Sequence, residues 1–222
     1  MNAIPAILRG ASTPTVSDAL DFHDLPGQIW GPRRLSGEAP VCGPAYTVRF
    51  APVEPGASAP AADYIDDVPE GAVVVLAGSG EGRTVWGDLL AETALRRGVA
   101  ATVIDGYCRD IDAIAALGYP LWAKGAFMRS GKNRVRMAAA GEPVEVGPEG
   151  DRVTVAPGDL ICADGSGVVR VPADAVEAVA RTAERIAAME EKVLADVRSG
   201  LDLSEARRRH RYNSFAKGGA QT

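Results

Sequence analysis

Apolar and polar positions along the chain fall into two regimes. In the first, continuous apolar runs of strand length alternate with stretches of helical spacing. Residues 13–22 predict an opening helix, with Val16, Ala19 and Leu20 on one face and Thr15 or Ser17 as its cap. Residues 26–40 read as loop and 41–50 as a strand. A Pro/Ala-rich connection, 51–69, holds a short helix near 61–65. Residues 72–77 (Ala-Val-Val-Val-Leu-Ala) form a strand, and 88–97 a helix with Leu90, Ala91, Ala94 and Leu95 on one side and Gly98 as its stop. A strand follows at 101–104, a short helix at 110–117 ended by Gly118 and Pro120, and the start of another strand at 121–123. These are two successive β-α units, and their unbroken apolar strands fit a sheet covered on both faces.

In the second regime, short apolar runs at 144–146, 153–155, 160–163 and 168–171 are separated by tight polar turns: Pro148-Glu149-Gly150-Asp151, Pro157-Gly158-Asp159 and Asp164-Gly165-Ser166-Gly167. A long Ala/Glu-rich helix at 173–199 stops at Gly200. Residues 201–222 are polar and basic and read as an arm or tail after a main domain of residues 1–200. With no internal repeat and no hinge-like linker, the pattern predicts a single α+β domain.

The 222 residues suffice for one well-buried core. A formal charge of −5 argues against a nucleic-acid partner, which usually demands a basic excess. The three cysteines, Cys42, Cys108 and Cys162, match neither a zinc pattern nor a disulfide framework and read as reduced thiols. No stretch is apolar enough to span a bilayer, and the first residues lack the charged start of a signal peptide, so a cytoplasmic location is the expectation.

Candidate chemistry concentrates in Gly87-Asp88-Leu89-Leu90-Ala91 and Asp105-Gly106-Tyr107-Cys108-Arg109-Asp110. Each segment lies between a predicted strand and a predicted helix. If the helix begins at Asp88, the Leu89 and Leu90 amides are unpaired donors at a positive helix end, suited to a carboxylate. Gly87 presents no side chain to obstruct that approach. Ligands of parallel sheets collect beyond the carboxyl ends of the strands, which brings Arg109 and Asp110 beside Asp88. Arg109 offers a fork for a carboxylate or enolate oxygen, and Asp110 a hard ligand for Mg²⁺ or Mn²⁺. The plain alternative is that Asp88 is an N-cap and Arg109-Asp110 a surface pair. Periodicity leaves both readings open.

Gly-Asp-Leu-Leu-Ala, Asp-Gly-x-x-Arg-Asp, Pro157-Gly158-Asp159 and Ala163-Asp164-Gly165-x-Gly167-Val168-Val169 together resemble the RraA-like family, which includes the 4-hydroxy-4-methyl-2-oxoglutarate aldolases and the regulators of ribonuclease activity. The resemblance runs from about Ser17 to about Gly200. It implies an α/β/β/α sandwich related to swivelling phosphohistidine domains, assembled as a trimer or hexamer with its site at a subunit interface. It further implies that Asp110 binds the divalent metal, Arg109 contacts the keto oxygen, Asp88 holds water at the metal, and the Leu89 and Leu90 amides hold the carboxylate of a 2-oxo acid. A glutamate from the neighbouring subunit would complete the site, with Glu191 the choice over Glu190 and Glu184.

The implied activity is that of a metal-dependent pyruvate aldolase with oxaloacetate decarboxylation as a side reaction. The alternatives are a protein inhibitor of a ribonuclease, or another lyase or hydratase acting on sugar-derived 2-oxo acids. Other features carry less. Gly78-Ser79-Gly80-Glu81-Gly82 lacks dinucleotide spacing and reads as a loop passing close to the site. Cys108 reads as a packed thiol, Trp86 as packing or a pocket wall, and His23 and His210 as too few for a metal set. Arg207-Arg208-Arg209-His210-Arg211 reads as a solvated helix end or an intersubunit arm rather than a polyanion site.

Overall fold

A computed structural model describes residues 4–54, 57–59 and 64–212. Its elements in chain order are α1 (Ala6–Gly10), α2 (Thr13–Phe22), β1 (Gln28–Ile29), β2 (Arg33–Ser36), β3 (Val41–Pro52), a 3-10 turn (Tyr64–Asp67), β4 (Val73–Ala77), α3 (Asp88–Arg96), β5 (Ala101–Cys108), α4 (Ile111–Leu117), β6 (Leu121–Ala126) and β7 (Val135–Ala140). There follow β8 (Val144–Val146), β9 (Val153–Val155), β10 (Leu160–Ala163), β11 (Val168–Val171), α5 (Val176–Arg198) and α6 (Leu203–Arg209). The short helix expected at 61–65 falls in part outside the described residues; the turn begins at Tyr64.

Strand β3 joins the two regimes. It pairs parallel with β4 and antiparallel with β10 and β7. The main sheet runs β1-β11-β10-β3-β4-β5-β6-β2, and β8-β9 form a separate hairpin. Every residue of β4 is buried, as its unbroken apolar run requires.

Three buried clusters divide the molecule into four layers. Leu76, Ile104 and Leu121 pack outward against Ala91 and Ala94 of α3 and Ile114 of α4. Val73, Val75, Val103 and Trp122 face inward on Val144, Val146, Val153 and Val155 of the hairpin and on Ile161 and Val168. Leu160, Val169 and Val171 turn outward to Val16 and Leu20 of α2 and Val179 and Ala183 of α5. The result is the expected α/β/β/α sandwich in one domain.

Two acids of the polar turns stitch this frame. Asp159, 3% exposed, accepts from the Ala156 amide (2.8 Å), the Ala173 amide (3.0 Å) and Arg170 Nε (2.7 Å). Asp164 accepts from the Thr13 amide (2.8 Å), Thr13 Oγ1 (2.7 Å) and the Ser166 amide (2.7 Å), so the β10–β11 turn is bonded to the start of α2. Burial opposes ionisation of Asp164, yet the Thr13, Ser166 and Gly167 donors outweigh it and hold its pKa below the ordinary value.

The elements differ from expectation where burial is slight. The loop read at 26–40 contains β1 and β2, and β7 lies in a stretch with no strand pattern. β2 and β7 are mostly exposed edge strands, so they show no apolar alternation. Helix α2 is capped by Ser12, whose Oγ accepts the Thr15 amide at 3.3 Å, not by Thr15 or Ser17. Within the expected tail, α6 docks on α5: Arg209 and His210 both reach Asp196 at 2.9 Å. Arg208 pairs with Glu205, and Arg207 lies over the Tyr212 ring.

All three cysteines are free thiols. Cys42 and Cys162 face each other across β3 and β10 with sulfurs 3.1 Å apart. His23 bonds Thr182 and ties α2 to α5.

Candidate functional site

The two half-motifs meet because β4 and β5 are adjacent and parallel. The segment between β4 and α3 then lies along the end of β5. Thr84 bridges to Tyr107, and the Arg109 amide donates to the Trp86 carbonyl at 3.0 Å. One residue later, the Asp88 amide donates to Asp110 Oδ2 at 3.3 Å, and Arg109 Nε donates to the same oxygen at 3.1 Å. Asp88, Arg109 and Asp110 are therefore one cluster.

The conformation of Asp110 bears on the two readings left open by periodicity. It stands at the N-cap of α4, yet its side chain makes no capping bond. Its backbone is left-handed, with φ of 59° and ψ of 36°. Aspartate adopts that conformation more readily than most non-glycine residues, and Asp24 and Asn133 of this chain share the positive φ. Both of its contacts run to Oδ2, and Oδ1 makes no hydrogen bond among the described residues. Asp110 therefore makes no cap to its own helix and has one carboxylate oxygen available to a ligand.

Gly87 is explained by the same crowding. A Cβ there would stand 2.6 Å from Asp110 Oδ2 and 3.3 Å from Arg109 Cγ and Nε. Its φ of −157° is ordinary extended backbone, so the constraint is contact alone. The expectation that Gly87 clears a path for substrate is thus sharpened: it makes room for the carboxylate of Asp110.

Helix α3 begins at Asp88 with Gly87 as N-cap, and its first helical bond runs from the Ala91 amide to the Gly87 carbonyl. The Leu89 and Leu90 amides precede that bond, as expected of free donors. The Leu89 amide is taken, however, by Asp88 Oδ1 at 2.8 Å. A ligand carboxylate arriving there has to displace the Asp88 side chain.

Asp88 and Arg109 of this cluster, though not Asp110, line a cavity of about 430 Å³. Gly87, Leu89 and Leu90 also line it, with residues 130–132, Val135 and Met137 of β7, and the apolar rings of Phe50, Tyr64 and Trp86. Trp86 is stacked on Tyr119 with ring centroids 5.9 Å apart, so it packs and walls at once. The glycine loop 78–82 packs closely on β5, with Ser79 Oγ 2.3 Å from where a Gly106 Cβ would be, and none of its residues lines the cavity. Cys108 is buried against the Gly125 carbonyl, and burial pushes its thiol up to about 12, which leaves it unreactive.

Lys132, which also lines this cavity, is a residue that sequence reasoning missed. It belongs to Arg129-Ser130-Gly131-Lys132-Asn133-Arg134-Val135-Arg136, a segment with four basic residues and no acid. That charge pattern was a usable signal.

Among the described residues, no three His, Cys, Asp or Glu side chains form a ready metal cage. The open Oδ1 of Asp110, with Asp88 beside it, fits a hard cation that takes one or two carboxylates and keeps most of its waters, as Mg²⁺ does. Glu191 lies elsewhere. It is an exposed residue of α5, in the outer layer with α2, on the opposite face of the sandwich from α3. Glu190 is engaged by the Tyr212 hydroxyl at 3.4 Å.

The sheet, the layers and this cluster define an aldolase/RraA-type protein, and comparison agrees. The family model RraA-like (Aldolase/RraA) matches residues 13–170, and the chain belongs to that family. It is 38% identical to Protein DlpA of Legionella pneumophila over 92% of its own length, and spans 33% of DlpA. It is 31% identical, over 80% of each chain, to a Halalkalibacterium halodurans protein provisionally named 4-hydroxy-4-methyl-2-oxoglutarate aldolase. A solved structure of an uncharacterized Pseudomonas syringae protein is 35% identical with a TM-score of 0.84, covering 93% of this chain and 98% of that one. No helix among the described residues is long and apolar enough to cross a membrane.

Proposed function

We propose that this chain is a divalent-metal-dependent lyase that cleaves a 4-hydroxy-2-oxo acid, such as 4-hydroxy-4-methyl-2-oxoglutarate, to pyruvate, and that it decarboxylates oxaloacetate at the same site. The observation that carries this reading is Asp110, held left-handed with Oδ1 open, its other oxygen shared by Arg109 and the Asp88 amide.

The substrate carboxylate binds the Leu89 and Leu90 amides at the positive end of α3. In doing so it releases Asp88 Oδ1 from the Leu89 amide. Asp110, with Asp88 nearby, would hold Mg²⁺ or Mn²⁺, whose contribution when bound is Lewis-acid polarisation of the 2-keto group. The Arg109 guanidinium donates to the keto oxygen. The freed Asp88 orients the water that accepts the C4 hydroxyl proton. The C4–O bond becomes a carbonyl as the C3–C4 bond breaks, and its electron pair passes into the pyruvate enolate. Arg109 is closest to the oxygen on which that charge develops, which is where fixed donors accelerate most. Protonation at C3 releases pyruvate. Oxaloacetate reaches the same enolate by loss of CO₂.

The site is completed, on this reading, in a homo-oligomer of three or six chains, with Glu191 of a second copy as the additional acid. Its position on the opposite outer layer means that any role there is played between copies.

The test is pyruvate release from 4-hydroxy-4-methyl-2-oxoglutarate and from oxaloacetate, with Mg²⁺ or with chelator. Turnover lost on chelation, and in Arg109→Ala and Asp110→Ala, is the expected result. Turnover that survives chelation overturns the mechanism. No pyruvate from either acid, together with tight binding to a ribonuclease, would establish the inhibitor reading instead.

A further inference from the structure

Lys132 is the cation of the cavity that no carboxylate among the described residues answers. Among the described residues none of Arg129, Lys132, Arg134 and Arg136 forms an ion pair, although the chain as a whole is acidic. The neighbouring guanidinium groups are occupied by backbone carbonyls. Arg83 donates to the Glu81 and Arg134 carbonyls, and Arg134 to those of Ser130 and Lys132. Arg129 and Arg136 do not line the cavity, whereas Lys132 lines it with Ser130. Arg109, which also lines the cavity, is already engaged by Asp110.

The loop that carries Lys132 is fixed to the segment that carries Asp88. The Thr84 amide and hydroxyl both donate to the Arg129 carbonyl, at 2.9 and 3.2 Å, and the Gly131 amide donates back to the Thr84 carbonyl at 2.8 Å. The contact is tight: a Cβ on Gly131 would lie 2.6 Å from that carbonyl oxygen. From Thr84 the chain runs only four residues to Asp88. Asn133 holds the other flank by accepting from Ser58 Oγ and the Ala59 amide. The spacing between Lys132 and the start of α3 is therefore set by backbone bonds, which is the preorganisation that selective binding needs.

A cavity of this size, lined by the start of α3 and Arg109 and also by Lys132 from a separate loop, suits an acid with a charge at each end; Asp88 and Asp66 line it too, Asp88 bonded to the Leu89 amide and Asp66 paired with Arg97. A monocarboxylate at the α3 end leaves Lys132 without a counter-ion. We propose that Lys132 is a specificity-determining residue that pairs with the distal carboxylate of a 2-oxo dicarboxylic acid whose first carboxylate sits on the Leu89 and Leu90 amides. This rests on the reading of the α3 end as the 2-oxo acid subsite.

The test compares binding of two probes that the chain cannot cleave at C3–C4, 2-oxoglutarate and pyruvate, by calorimetry with Mg²⁺ present, in the full chain and in Lys132→Met and Lys132→Arg. Loss of one charge-assisted contact predicts 2-oxoglutarate binding weaker by about ten- to a hundredfold in Lys132→Met. Pyruvate binding should be unchanged, and Lys132→Arg should restore most of the loss. Equal weakening for both acids, or none for 2-oxoglutarate, overturns the proposal. Unchanged thermal unfolding of Lys132→Met, an exposed residue, separates this from loss of the loop. Failure of the wild-type chain to release pyruvate sinks the lyase reading and leaves the binding comparison to judge Lys132 on its own.

Discussion

Two ends of this molecule each carry a pair of acids, and they treat them oppositely. At one, Asp159 and Asp164, which flank β10, each accept three hydrogen bonds from fixed donors. At the other, the start of α3, Asp110 accepts two on one oxygen and, among the described residues, none on the other, and Asp88 reaches the amide of its own neighbour. On the proposed reading, saturation separates acids that hold the fold from acids open to a ligand. Asp159 and Asp164 stand in segments that carried the family resemblance alongside those of Asp88 and Asp110, and it is their surroundings that differ.

The largest effect should come from breaking the saturated end. Asp159→Ala leaves Arg170 as an uncompensated buried cation and two amides without acceptors, which costs about 3–5 kcal/mol. Urea unfolding should show that loss, while turnover per folded molecule stays at the wild-type level. A stable Asp159→Ala chain with impaired turnover would reverse the assignment of the two ends.

The mirror experiment is Asp110→Asn, whose predicted signature is the opposite one. Its shape is kept and its charge lost, so turnover should fall by about 10²–10³-fold. Unfolding should move by less than about 0.5 kcal/mol, because the side chain caps nothing. Gly87→Ala sharpens this further. The added methyl meets the end of a carboxylate at 2.6 Å, so Asp110 must rotate while the backbone, already extended, does not. A loss of about tenfold in turnover with an unchanged melting temperature is expected; a destabilised chain with intact turnover would show that Gly87 serves the fold instead.

Much of this contrast could be read in the chain before its structure, though not all. The runs that became β8 to β11 have the same bounds in sequence and structure, since each is buried and cut by turns with glycine or aspartate. The convergence of Asp88 with Arg109 and Asp110 followed from strand adjacency. Edge strands β2 and β7 were hidden because Arg33, Arg34 and Arg136 face solvent, and backbone pairing leaves no trace in side-chain pattern. The left-handed Asp110 was also hidden: most residues with such φ are glycine, so an aspartate gives no warning. Lys132 was overlooked because unpaired charge is a property of the folded surroundings, and sequence displays only the charge.

The smallest predicted effect concerns Asp164 and depends on pH. Its donors hold its folded-state pKa below the ordinary 3.8 despite burial. A depressed folded value means that its contribution is complete above about pH 4 and is lost as pH falls through the folded value. Asp164→Asn retains the shape and one acceptor but not the charge facing the Thr13 amide at the start of α2. The variant should be less stable by about 1 kcal/mol at pH 7. Below the folded value the wild-type side chain is neutral too, so the gap between the two chains should close in acid. Urea unfolding at pH 7 and at successively lower pH follows the gap as it narrows. A gap that is constant with pH would mean that the Thr13 contact works through shape alone, and the two ends would then differ in hydrogen-bond geometry without differing in charge.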